Sequence, residues 1–176
     1  MNTNNEFLTT HYDTAFSKYY FLKVAKEIIK IGNLENQNTI LDYGCGEQIF
    51  SKLLTKPKIF NYDIKPEYNE VLNVTDHLNS DVIIFNHVWM YIPYEEISKI
   101  LQDIKNANKN SKIILSMGKQ NLLSKIAMIL AGKPNAHNNT VISYNKQLEV
   151  LKKFCKILDV KKNIYFMTDV FYAEFY

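Results

Sequence analysis

The stretch from Thr39 to Gln48 reads TILDYGCGEQ and combines a short apolar run, an aspartate and two glycines separated by one residue. This order, with helix-compatible sequence behind it, predicts a buried strand, a tight turn and a helix. Gly44 and Gly46 allow positive φ and leave no side chain where the backbone must approach a bound molecule closely. Asp42 places a carboxylate beside that gap, so a ligand with a cationic part suits the site.

This pattern resembles the first motif of the class I S-adenosylmethionine-dependent methyltransferases, in which an acid, any residue, Gly, any residue and Gly stand at this place. The resemblance covers nearly the whole chain. It implies S-adenosyl-L-methionine as the cofactor, held by Asp42, Gly44, Cys45 and Gly46. The family often has a further glycine two positions on, where this chain has Gln48. That departure narrows the room near the start of the helix.

Two other interpretations of the glycines stay open. The dinucleotide fingerprint G-x-G-x-x-G needs a third glycine where this chain has Ile49. It also gives no reason for Asp42, because an acid beside a pyrophosphate would repel it. The glycines alone are compatible with a tight strand-to-helix turn that binds nothing.

A second acid follows the next predicted strand. The strand-like run at 58–63 (KIFNYD) ends in Asp63, about 20 residues beyond the glycines, as in open nucleotide-binding sheets. A carboxylate there can accept hydrogen bonds from both hydroxyls of a ribose. The resemblance implies this role for Asp63, with Ile64 beside it as a further cofactor contact. A solvated acid at a strand end is the alternative.

The run Glu70–Leu78 (EVLNVTDHL) is predicted to contain a shorter strand followed by polar residues. Members of the family commonly place a polar side chain after their third strand, where it meets the adenine amino group. The resemblance implies that Asp76 makes this contact, with Asn73 as the less favoured residue.

The stretch NHVWMYIP, which begins at Asn86, follows a continuous apolar run at 81–86 of the kind buried on both faces of a parallel sheet. It resembles the family's fourth motif, where the chain leaves the fourth strand beneath the transferred methyl group, which implies a cofactor contact from Asn86. Many relatives have a histidine where this chain has Tyr91. We expect His87 and Trp89 to line the pocket; an aromatic cluster in the ordinary core is the alternative.

Strands and helices alternate along the chain and predict one α/β domain over residues 1–176. Its sheet is expected to be doubly wound, mostly parallel and seven-stranded, with helices on both faces and a C-terminal antiparallel hairpin, as in the methyltransferase family. The predicted helices are at 15–31, ending before Gly32, and at 47–54, 94–107 and 147–155. The predicted strands begin at 39 and continue with 58–63, 70–78, 81–86, 112–117, 159–166 and 171–176.

Two segments outside the cofactor machinery should bear on the acceptor. Residues 7–20 are rich in tyrosine, and in relatives such a segment folds over the cofactor and supplies a tyrosine to its carboxylate. This implies a role for Tyr12 or Tyr20, with surface tyrosines on a helix as the alternative. Residues 120–145 insert an apolar helix and a polar loop at the end of a strand, where ligands bind in open sheets. The apolar helix is compatible with a pocket wall, a dimer contact or a patch for a lipid-like acceptor.

Composition narrows the classes of partner. The chain has 176 residues, 47% of them hydrophobic, which is enough for one core. The net charge is +3 and all 21 cationic residues are lysines, which disfavours base-specific nucleic-acid recognition because bidentate guanine contacts favour arginine. Neither a metal-binding cysteine pattern, a signal peptide nor an apolar run of ~18 residues is found. We expect a cytoplasmic protein with no nucleic-acid partner and no metal.

The predicted activity is methyl transfer from S-adenosylmethionine to a small-molecule, sugar or lipid acceptor. His137, in the polar loop of the insertion, or His87 would act as the base for a hydroxyl acceptor, because histidine accepts a proton near neutral pH. The Asn-Pro-Pro-aromatic signature for nucleobase amino groups is missing at Asn86, and no Pro-Cys pair is present to attack cytosine. The alternatives are a non-catalytic cofactor-binding or partner-binding protein on the same scaffold and an RNA methyltransferase.

Overall fold

The computed structural model describes residues 14–71, 73–130 and 140–176. Within these ranges no helix is long and apolar enough to cross a membrane. The helices are α1 (Ala15–Ile31), α2 (Ile49–Leu53), α3 (Tyr94–Ala107), α4 (Leu122–Leu130) and α5 (Tyr144–Phe154). The strands are β1 (Thr39–Tyr43), β2 (Lys58–Tyr62), β3 (Val82–Asn86), β4 (Lys112–Gly118), β5 (Cys155–Ile164) and β6 (Thr168–Phe175).

The described strands form one mixed sheet in the order β2-β1-β3-β4-β6-β5. The first four are parallel, and β6 runs antiparallel between β4 and β5. Asp42 of β1 lies opposite Asn61 of β2 and Ile84 of β3. The chain therefore runs outward from β1 to β2 and then returns to the other side of β1, which makes the gap between β1 and β3 a topological switch point.

The two faces of the sheet are covered by different helices. Because successive strand residues point to opposite faces, Leu41 and Ile83 pack into the core with α3 and α5, whereas Ile40 and Ile84 pack into the core with α1 and α2. The four inner residues of β3 are fully buried, as its continuous apolar sequence predicts. Helices on both faces of a mostly parallel sheet confirm the α/β expectation.

Helix α1 begins and ends where the sequence predicts. Thr14 accepts a hydrogen bond from the backbone N–H of Ser17, whose hydroxyl belongs to the same capping box. Gly32 ends the helix, but its φ of −84° is open to any residue. A Cβ at this position would lie 2.3 Å from Cδ1 of Ile114, so the buried side chains of Ile114 and Leu34 would have to shift.

The seven-strand count is not reproduced in the described residues, which contain six strands. The expected strand in Glu70–Leu78 is replaced by a 3₁₀ helix at Val74–His77. The physical reason is local. Asn73 accepts a hydrogen bond from the backbone N–H of Thr75, which offers this backbone a turn in place of a strand ladder.

The C-terminal hairpin forms, but its turn lies earlier than the sequence predicts. Strand β5 starts at Cys155, directly after α5, and the turn falls at residues 165–167 rather than 167–170. Tyr165 and Phe166 both take positive φ there, at 48° and 60°. Aromatic residues rarely adopt this conformation, so the residue types give no turn signal at this point.

The tight fit at Gly32 gives a stability prediction. We expect Gly32→Ala to lower the free energy of unfolding by about 1–3 kcal/mol, because the new methyl group overlaps Ile114 and Leu34. In an Ile114→Val background, which removes Cδ1, the same change should cost less. Urea unfolding of the four proteins in this double-mutant cycle measures the coupling. Equal costs in both backgrounds would contradict the steric explanation.

Candidate functional site

The carboxyl ends of β1, β2 and β3 meet at one edge of the sheet, and the acids and glycines singled out in the sequence lie there. The loop after β1 turns sharply at this edge. The backbone N–H groups of Gly44 and Cys45 both donate to the carbonyl of Tyr62 at the end of β2, at 2.7 and 3.0 Å. The glycine loop is therefore tied to the neighbouring strand rather than free to move.

Gly44 is a glycine for two separate reasons. Its φ is +83°, a left-handed conformation that residues with a side chain rarely adopt. A Cβ at this position would also lie 2.3 Å from Cγ2 of Val88. The absent side chain thus allows the loop after β1 and the loop after β3 to touch.

Gly46 also has positive φ, at 46°, but no atom lies within 4 Å of where its Cβ would be. Gln48, at the position where the family often has glycine, adopts the same left-handed region with φ 57° and ψ 46°. Its side-chain amide donates to the carbonyl of Tyr68 at 3.0 Å. The loop therefore takes a glycine-like path at Gln48, while the space beside Gly46 stays open.

Asp42 carries the most unusual carboxylate of the described structure. Its side chain is 1% exposed, and neither oxygen has a hydrogen-bond partner among the described residues. Burial, and then the neighbouring Asp63 carboxylate, raise the pKa of Asp42 to about 8. The ionised form of such an acid is stabilised by any cationic or hydrogen-donating group that lies beside it.

Asp63, which follows β2, is held in place by backbone. Its Oδ2 accepts from the N–H of Gly46 at 2.9 Å, and its Oδ1 accepts from the N–H of Lys65 at 3.0 Å. Each carboxylate oxygen has two lone-pair sites, so each oxygen retains capacity for a ligand hydroxyl. Ile64 is exposed next to it.

Cys45 lies buried in the glycine loop. Its thiol donates to the carbonyl of Tyr68 at 3.4 Å, the same carbonyl that Gln48 contacts. Burial, followed by the charge of Asp42, raises the pKa of the Cys45 thiol above its usual range. The thiol is therefore neutral at physiological pH, and it joins the two loops structurally.

His87 lies directly after β3 with φ of 59° and is positioned by residues from β4 and β6. Its backbone N–H donates to Oγ of Ser116 at 2.9 Å, and its ring Nε2 lies 3.3 Å from Oγ1 of Thr168. The Ser116 hydroxyl in turn donates to Oδ1 of Asn86 at 2.7 Å. Asn86 and His87 are thus oriented by one continuous set of hydrogen bonds.

Tyr20 of α1 is only 6% exposed, so the surface interpretation of this tyrosine is wrong. Its hydroxyl is hydrogen-bonded to Thr168, and its ring centroid lies 6.2 Å from that of His87. Burial raises the pKa of Tyr20 to about 12. The phenol is therefore neutral, and it adjoins the predicted site through Thr168.

The remaining predicted residues fall in different environments. Trp89 is almost fully buried against Phe85, so it is a core residue rather than an open pocket wall. Tyr91 is half-buried, and burial raises its pKa to about 12. Asp76 is exposed on the 3₁₀ helix, where it accepts a hydrogen bond from the Asn73 amide.

Two of the predicted residues, His137 and Tyr12, lie outside the described residues. No cluster of three histidine, cysteine, aspartate or glutamate side chains within the described ranges has a geometry that holds a metal ion.

The residues that hold the site together could not be predicted from the sequence. Thr168 and Ser116 orient His87 from strands far away in the chain, and neither carries a local signal. Asn69 accepts a hydrogen bond from the Asp63 N–H at 2.5 Å, and Asn61 donates to Glu70 at 2.5 Å. Asn61 is the exception, because a polar residue inside the apolar run KIFNYD is a visible signal. It is fully buried in the structure.

No protein-family model matches the chain, and no curated protein matches it in sequence. Solved structures do match. Magnesium protoporphyrin IX methyltransferase (ChlM) from Synechocystis, with bound S-adenosylhomocysteine, aligns with a TM-score of 0.63 and 16% identity over 93% of this chain and 88% of that chain. A SAM-dependent methyltransferase from Archaeoglobus fulgidus aligns with a TM-score of 0.61 and 14% identity over 93% and 99% of the two chains.

The N-methyltransferase NodS from Bradyrhizobium japonicum, in complex with S-adenosylhomocysteine, aligns with a TM-score of 0.60 and 9% identity over 93% of this chain and 89% of that chain. Together these similarities show that the chain has the fold of the class I S-adenosylmethionine-dependent methyltransferases. At such low identities the shared property is the fold.

The buried state of Asp42 gives a pH prediction. Between pH ~3.9, the ordinary pKa of aspartate, and pH about 8, Asp42 retains in the folded protein a proton that it loses in the unfolded chain. The free energy of unfolding should therefore fall as pH rises through this window and level off above it. Asp42→Asn should remove this part of the slope, as measured by urea unfolding from pH 5 to 9.

Asp103→Asn, at an exposed aspartate of α3, is the matched control and should leave the slope unchanged. Equal slopes for the wild type and Asp42→Asn would show that Asp42 is ionised in the folded protein, contrary to this account.

Proposed function

We propose that this protein is an S-adenosylmethionine-dependent methyltransferase that acts on a small-molecule, sugar or lipid acceptor. The observation that carries the proposal is the buried Asp42 carboxylate, which has no partner among the described residues and stands beside a glycine turn at the switch point of the sheet. The solved structures with this fold support the choice of cofactor, since ChlM and NodS were crystallised with S-adenosylhomocysteine.

The residues present fit this cofactor by charge. An unpaired buried carboxylate costs several kcal/mol unless a cation or a set of donors meets it. S-adenosylmethionine carries both an ammonium and a sulfonium, so its methionine end suits Asp42. A dinucleotide would place a pyrophosphate beside the same acid, which offers no positive charge to compensate it, and this disfavours the other interpretation of the glycines.

The adenosine end is matched by Asp63. Its two oxygens are already aligned by the N–H groups of Gly46 and Lys65, and their remaining lone pairs suit the two ribose hydroxyls. The open space beside Gly46 lets the ligand approach the backbone directly. Ile64 is exposed next to Asp63 and offers apolar contact to the base. We keep Asp76 as a proposed adenine contact.

When bound, the cofactor supplies an activated methyl group on a sulfonium. The protein has then to hold the acceptor in line and exclude water, and well-oriented pairs gain ~7–11 kcal/mol over the bimolecular reaction. His87, fixed by Ser116 and Thr168, is the described residue best placed to take a proton from a hydroxyl acceptor at this edge. His137 remains proposed for the same task.

A non-catalytic binding protein on the same scaffold is the second candidate, suggested by Gln48 and Tyr91 in place of commoner family residues. The structure weakens the case based on Gln48. Gln48 adopts the left-handed conformation that a glycine would take, and Tyr68 anchors its side chain. The substitution at Gln48 is therefore compatible with a loop of the usual path.

Calorimetry with S-adenosylmethionine tests the proposal. We expect binding by the wild type, and a loss of about 100-fold or more in Asp63→Ala, because two charge-assisted hydrogen bonds at ~1.5–3 kcal/mol each are removed. Asp103→Ala is the control and should bind normally. Incubation with a library of hydroxyl, amine and sugar acceptors should then yield S-adenosylhomocysteine.

Each outcome of that experiment decides between the candidates. Binding without turnover on any acceptor would favour the non-catalytic protein. Absence of binding by the folded wild type would overturn the proposed function. If Asp63→Ala is destabilised through loss of its bonds to Gly46 and Lys65, Asp63→Asn retains one acceptor oxygen and provides the second measurement.

A proton-release measurement isolates the role of Asp42. At pH 7 the folded protein holds this carboxyl protonated, because its pKa is raised to about 8 by burial. A cation bound beside it favours the ionised form, so binding should release up to about one proton. Calorimetric enthalpies in buffers of different ionisation enthalpy count the released protons. Asp42→Asn should release none, and equal counts in both proteins would assign the proton to another group.

A further inference from the structure

Seven large hydrophobic side chains lie exposed around helix α4, and we call this surface the apolar patch. Leu122 and Phe166 are 72% and 64% exposed. The members of the apolar patch are Leu122, Leu123, Ile126 and Ile129 of α4, Tyr19 of α1, and Tyr165 and Phe166 of the turn between β5 and β6.

The apolar patch is continuous across three elements. Helix α4 turns Ser124 and Ala127 inward, where both are buried, and this leaves its leucines and isoleucines outward. The side chain of Asn121, just before α4, donates to the carbonyl of Phe166 at 2.7 Å. The ring of Tyr165 lies 6.1 Å from that of Tyr19. Helix, turn and α1 therefore present one surface.

Exposure on this scale is unusual. Of the twelve large hydrophobic side chains that are exposed in the described part of the chain, seven belong to the apolar patch. Scattered exposed hydrophobic residues are normal, whereas a contiguous group marks a surface that contacts something apolar.

Lysines predominate around the apolar patch. The segments 15–23, 119–130 and 161–166, which carry it, contain six lysines and no aspartate or glutamate. Lys23 is paired with Glu27 at 2.9 Å and Lys119 with Asp169 at 2.8 Å. Lys18, Lys125 and Lys161 are exposed, so a net positive rim surrounds the apolar side chains.

We propose that the apolar patch docks the protein onto an anionic lipid membrane surface. Leucine, isoleucine and aromatic side chains enter the boundary between headgroups and acyl chains, while lysines at the rim meet anionic headgroups. Tyrosine and phenylalanine at a turn tip suit this boundary, because tyrosine has an apolar ring and a polar end.

A second copy of the chain fits the same surface less well. A two-fold interface places each patch against its own copy, so the lysine-rich rims of the two copies would face each other, with Glu27 and Asp169 already paired to lysines of their own copy. Like charges juxtaposed at an interface are unfavourable, and an anionic bilayer converts the same rim into an attraction.

The apolar patch borders the candidate site without depending on its chemistry. Tyr19 precedes Tyr20, whose ring lies close to His87, so a docked protein would hold this edge of the sheet near the bilayer. Membrane docking itself needs no cofactor, and it is measured apart from S-adenosylmethionine binding.

The test is co-sedimentation with phosphatidylcholine vesicles that contain or lack phosphatidylglycerol. We expect binding to the anionic vesicles that weakens with salt and is much lower with phosphatidylcholine alone. Phe166→Ser should reduce binding by about tenfold or more through loss of inserted apolar surface. Lys125→Glu should reduce it by at least about tenfold through charge reversal near the surface.

Matched controls lie away from the apolar patch. Leu158→Ser changes an exposed leucine of β5 roughly 20 Å from the turn by strand rise, and Lys109→Glu reverses a charge before β4. Both should bind like the wild type, and circular dichroism should show all four variants folded. Equal binding by patch and control variants, or no binding to anionic vesicles, would overturn the proposal. So would a wild-type dimer in sedimentation velocity that Phe166→Ser dissociates.

Discussion

A carboxylate sealed from water beside a second carboxylate is the constraint around which this structure is arranged. Asp42 cannot leave its position, because β1 is hydrogen-bonded on both sides, to β2 and to β3. Its burial is therefore imposed by the sheet, and it is unfavourable for the ionised form. A folded chain retains such a group at a cost in stability, and this cost is offset when a cationic ligand arrives.

The surroundings of that acid are fixed by contacts within the chain. The loop after β1 is tied to Tyr62 and Tyr68 by backbone carbonyls, and Asp63 is aligned by the N–H of Gly46. Val88 fills the space that a side chain at residue 44 would occupy. Polar groups that are already oriented need no rearrangement on binding, which lowers the entropic cost of association.

The parallel part of the sheet was predictable because its strands are short apolar runs that end in recognisable turn residues. The sequence does not reveal features that depend on unusual backbone conformation or on distant partners. Tyr165 and Phe166 take positive φ, which aromatic residues rarely adopt. Asn73 caps a 3₁₀ helix at Val74–His77, where a strand was expected. Thr168 meets His87 across 81 positions of sequence, a pairing that becomes visible only once the strands are in register.

The insertion of β6 between β4 and β5 has a consequence for synthesis of the chain. Strand β4 is made about fifty residues before β6, its permanent neighbour on that side. Until β6 emerges, the nascent chain displays an unpaired edge of buried, hydrophobic residues, and unpaired edges recruit other strands. Thr168, the first residue of β6, also completes the support of His87. Closure of this edge and the contact between Thr168 and His87 therefore both depend on β6, which is synthesised late.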